Sequence, residues 1–109
     1  MILDPSDRRH RLIDAVDDAV GELLSRGHAD DMVGICAGGL KFQLSGEEGE
    51  PGSDEDIQTW MNNPAALEFA LFVDLRVAWQ GFVNDEEESA ARDIVSTIAR
   101  HFSERGASA

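Results

Sequence analysis

Met32-Val-Gly-Ile-Cys-Ala-Gly-Gly-Leu-Lys-Phe-Gln-Leu-Ser45 is the stretch on which the fold class turns. Two adjacent glycines between apolar runs can supply both positive φ angles of a primed two-residue turn. With Gly38-Gly39 as the loop, Ala37 pairs with Leu40, Ile35 with Phe42 and Val33 with Leu44. All six then share one face, and Met32, Gly34, Cys36, Lys41 and Gln43 take the other. Turn chemistry and alternation agree on one register. The stretch therefore predicts an antiparallel β-hairpin over residues 32–45.

Outward from it, helical spacing dominates. Residues 4–26 predict a first helix, with Asp4 as cap, Pro5 at the first helical position and Leu12, Ile13, Val16, Ala19, Val20, Leu23 and Leu24 as its apolar stripe. Gly27 offers a left-handed stop. Ser53 and Asp56 open a short helix that carries Ile57, Trp60 and Met61 to Asn62. Asn84 caps a last helix over residues 85–105, whose stripe is Ala91, Ile94, Val95, Ile98, Ala99 and Phe102. Residues 46–53, rich in Gly and Glu, predict a flexible acidic loop, and residues 106–109 a frayed tail.

Residues 64–81 read two ways. Asn63-Pro64 followed by Ala-Ala-Leu-Glu opens a helix well, while Leu67, Phe69, Leu71, Val73, Leu75, Val77 and Trp79 alternate like a strand. Leu and Ala content favours the helix, and a third strand within residues 67–80 stays open because a lone hairpin is marginal. The expected class is α+β: one small, mostly helical domain, with helices packed on one short hairpin.

Charge bounds the function. Asp and Glu number 22 against 9 Lys and Arg, a formal charge of -13 on 109 residues, and the only lysine is Lys41. Such a chain repels nucleic acid and anionic membrane and attracts electropositive partners. General solvation and salt adaptation explain acidity equally well. The longest apolar run, Phe69 to Val73, is far too short to cross a bilayer, and the N-terminus lacks a secretory pattern. A single cysteine, Cys36, fits a reducing compartment, so a cytoplasmic protein is expected.

The acids of the first helix point to a partner class. Asp14, Asp17, Asp18 and Glu22 lie along about 12 Å of axis, where one DNA strand would present about 3.5 phosphates. Glu47, Glu48, Glu50, Asp54, Glu55 and Asp56 could extend that edge. Together these ten residues form an expected partner-binding face of a non-catalytic acidic protein. It would be an inhibitor or nucleic-acid mimic that docks on a basic surface of a nucleic-acid-binding complex, in the manner of small phage counter-defence proteins. The alternative is an acidic dimeric chaperone or adaptor that holds a partner through an apolar surface. Phe69, Phe72, Trp79, Phe82 and Val83 exceed what so small a core encloses, which favours a homodimer.

Other clusters are weaker. Arg8, Arg9, His10 and Arg11 crowd a helix start, where cations oppose the dipole, and answer either an acidic segment of the chain or an anionic ligand. His28 near Asp30 and Asp31, and His10 near Asp14, fall short of a metal set. Cys36 beside Lys41 across the hairpin could have its thiolate favoured, but no base is brought to it. No cofactor, metal or catalytic constellation is expected.

Overall fold

The computed structural model describes residues 5–45 and 54–107. The described residues form five helices: α1 (Pro5–Ser25), α2 (Asp30–Ser45), α3 (Asp54–Asn62), α4 (Pro64–Ala78) and α5 (Asp85–Ala107). No strand occurs among the described residues, so the class is all-α and not α+β.

The hairpin expected over 32–45 is a helix. Met32, Val33, Cys36, Ala37, Leu40 and Leu44 are buried, a set at helical spacing that draws Met32 and Cys36 into the core. Ile35 and Phe42, two of the six side chains of the expected hairpin face, are left facing solvent. Gly38 and Gly39 sit mid-helix at about 1 kcal/mol each relative to Ala. Burying four or five large side chains at about 1.5–3 kcal/mol apiece outweighs that cost. The third strand within 67–80 is likewise absent. Leu67, Leu71 and Leu75, spaced by one helical turn, are the buried residues of α4, and the alternating Phe69, Val73 and Val77 fall outside the core.

Four helices close a ring. α1 runs antiparallel to α2, with Lys41 reaching Asp17, and antiparallel to α5, with Arg26 at Asp93 and Arg100 at Glu22. α4 turns back on α5 through residues 79–84, placing Arg92 over the Phe72 ring at 4.6 Å, and α2 packs beside α4. The result is an up-down-up-down bundle in the order α1, α2, α4, α5. The short α3 lies against α4 and α5, where Trp60 meets Phe102 edge-on at 6.5 Å.

Local signals set the helix ends. Gly27 has φ 89° and Gly81 φ 87°, both left-handed, and Gln80 shares that conformation at φ 60°. The Gly81 amide donates to the Arg76 carbonyl at 2.8 Å, closing α4 in a Schellman-like turn. Asn84 Oδ1 accepts the Glu87 amide at 2.9 Å, and Glu87 reaches back to the Val83 amide at 3.1 Å. Gly106 lies within the last turn of α5. There an added Cβ would stand 2.8 Å from Met61 Sδ, so this glycine admits α3 at close range. The caps expected from Asp4 and Ser53, and the acidic loop over residues 46–53, lie outside the described residues.

Candidate functional site

The carboxylates of α1 are met by cations of the same chain. Lys41 Nζ donates to Asp17 Oδ1 at 2.7 Å. Arg105 pairs with Asp18. Glu22 receives Arg26, Arg100 at 2.8 Å and His101 at 2.9 Å. That arrangement ties α1 to α2 and α5. The His101 hydrogen bond, with the two arginines, holds the Glu22 carboxyl below its usual range. Asp14 is exposed and makes no ion pair among the described residues. Glu55 and Asp56 are exposed on α3, which Asp54 opens, while Glu47, Glu48 and Glu50 lie outside the described residues.

The arginines crowded at the start of α1 find partners in the fold. Arg9 donates to the carbonyls of Gln43 and Leu44 at 3.1 and 3.3 Å, a cation on the negative end of α2. Arg8 donates to Gln58 of α3 at 2.9 Å. Their charge order, odd for α1 alone, is explained by what the neighbouring helices present.

Histidine and cysteine are equally committed. His28 Nε2 stands 2.6 Å from Asp93 Oδ2, not beside Asp30 and Asp31 in a ligand set. Arg26 binds both Asp93 oxygens at 3.1 Å and Thr97 Oγ1 at 3.0 Å. Burial pulls the Asp93 carboxyl up, but the bonds from His28 and Arg26 prevail and hold it below its usual range. Among the described residues no group of three His, Cys, Asp or Glu could hold a metal. Lys41 is on Asp17 and not across a hairpin from Cys36. Burial, with the nearby Asp74 charge, pushes the Cys36 thiol up to about 12, so the neutral thiol is the form present.

What charge patterning missed is apolar. The outer side of α4 carries Phe69, Val73 and Val77 at i, i+4 and i+8, with Phe69 71% and Val77 72% exposed. Val83, in the turn beyond, is 82% exposed. Beside this row lies an open depression of about 590 Å³, lined by Phe69, Phe72, Val73, Arg76, Val77 and the Gln80–Gly81 turn. On the neighbouring α2, Ile35 and Phe42 (58% exposed) also face outward. The alternation of residues 67–79 held the signal: Leu67, Leu71 and Leu75 form the α4 core row, and Phe69, Val73 and Val77 between them form the exposed row.

Among the described residues no helix is long and apolar enough to cross a membrane. No family model, curated protein or solved structure matches the chain.

Proposed function

We propose that this is a non-catalytic interaction protein of the cytoplasm, which holds its partner through the apolar outer face of α4. One observation carries the reading: Phe69, Val73 and Val77 form an exposed row that, with Phe72, lines an open depression. Exposed apolar patches rimmed by polar surface mark association sites in small monomeric folds. The alternative, a basic partner drawn to α1, rests on net charge, and three of its four α1 carboxylates would have to exchange an internal cation for an external one. The neutral, buried thiol of Cys36 fits both a reducing compartment and a role without nucleophilic chemistry.

Two variants separate the readings in a tagged-protein capture at low and high salt. Phe69→Glu with Val77→Glu should lose every specifically held protein, additional copies of this chain included, while wild-type capture survives high salt. Asp14→Lys with Glu55→Lys, exposed acids outside the ion pairs that join the helices, should retain it. The opposite pattern, loss on reversing the acids and at high salt, would move the function to the carboxylates.

A further inference from the structure

We propose that the outer face of α4, continued onto α2, is occupied by a second copy of this chain, and that Arg76 of each copy meets a carboxylate of the other. The inference rests on reading this face as an interaction surface and adds what covers it.

The charge pattern selects the occupant. From Met32 to Ser45 and from Phe69 to Ala78, in a chain with 22 acids, the only acid is Asp74, while Asp30 and Asp31 open α2 and Glu68 lies in the first turns of α4. Two molecules of charge -13 repel, and this is the surface on which they can approach with least mutual repulsion. A basic partner finds least to attract it there. Arg76 points the same way. Among the described residues it is the one basic side chain whose guanidinium makes no hydrogen bond or ion pair within the chain, and it lines the apolar depression. An occupant that supplies a carboxylate completes it, and the same face of a second copy offers the exposed Asp74, whereas a cationic segment would oppose it.

The dimensions also suit. α2 and α4, neighbours of 16 and 15 residues, are each about 22–24 Å long. Side by side at about 10 Å width they give a footprint of roughly 450–500 Å², before side-chain relief is counted. A standard interface needs about 800 Å² of accessible surface per partner, which relief of this kind can supply. In a two-fold arrangement the same patch serves both copies, so Arg76 is satisfied twice by one geometry.

Sedimentation of the full chain across a concentration series, at about 0.05 and 0.5 M NaCl, tests this. A dimer is expected whose dissociation constant falls as salt rises, because screening removes the repulsion between like-charged copies. Phe69→Glu should weaken it about tenfold or more, as loss of a central apolar anchor does. Arg76→Glu should weaken it several-fold, and Asp14→Lys, on α1, should leave the interface intact. Each variant is checked for unchanged helical circular dichroism, with Val77→Glu as the second probe should Phe69→Glu misfold. The proposal is overturned by a wild-type monomer at every concentration, by a dimer indifferent to Phe69→Glu and Val77→Glu, or by a dimer that weakens as salt rises. A monomer whose capture of some other protein is still lost on changing Phe69 would remove the second copy and keep the interaction face. Indifference in both experiments would remove both.

Discussion

Cys36 shows how a single residue's chemistry follows from which way its helix turns. On a hairpin it would share a face with Lys41 and lean towards thiolate; on α2 it is 4% exposed and its thiol rises to about 12. Native protein should therefore resist iodoacetamide at pH 8, and alkylate rapidly once unfolded in urea. The same shift has a thermodynamic sign. The fold favours the protonated thiol, so this stabilisation is complete below the unfolded value near 9.0 and is lost as pH rises towards about 12. Glu22 and Asp93 run in the other direction. Their carboxyls are held below the ordinary 4.5 and 3.8, so their contribution is present above those values and disappears as pH falls beneath them. The urea midpoint should drop between about pH 5 and pH 3, and Glu22→Gln should flatten that drop. An unchanged acid limb in the variant would show that Glu22 does not couple folding to protons.

At the scale of elements, α1, α3 and α5 were legible because caps, apolar stripe and stop signals agreed. Pro5, Gly27 and Asn84 all act where their chemistry suggests. α2 was not legible, because Gly38-Gly39 suits a primed hairpin turn and the apolar residues beside it also alternate. Only burial by α1, α4 and α5 chooses between a period of two and one of 3.6, and burial is not a local property. In α4 the two readings shared Leu67, Leu71 and Leu75 and differed in the fate of Phe69, Val73 and Val77. Of the exposed row, only Phe69 stands among the apolar residues expected to exceed the core. Charge runs were legible as charge, but their internal partners were not, since Lys41 and Arg105 lie 24 and 87 residues from the acids they meet. The glycines of α2 give a test. Each has open space where a Cβ would go, so Gly38→Ala and Gly39→Ala should each stabilise dilute protein by up to about 1 kcal/mol in urea unfolding. In a hairpin the same changes would destabilise, because alanine resists the positive φ of the turn.

The whole molecule separates its charge from its apolar surface. Arg26, just past α1, and cations of α2 and α5 bind the α1 acids and hold the ring together. Because α2 and α5 both run against α1, their acidic first turns, Asp30 and Asp31 with Asp85 to Glu88, lie at one end of the bundle. They also stand where helix dipoles favour them. Past their first turns, the outer side of α2 and α4 carries few charges, among them the exposed Asp74 and Arg76. A molecule so arranged should associate through that side and be kept apart by its others. Methyl NMR of isoleucine- and valine-labelled protein reads this directly, recorded over rising concentration at low and then high salt. Signals of Val73, Val77 and Ile35 should shift together as the mass doubles, more completely at high salt, while Val16 and Ile98 of the core stay fixed. Shifts that gather instead at Val20 of α1, or a doubling of mass that leaves Val73 and Val77 unmoved, would contradict an interface on α4.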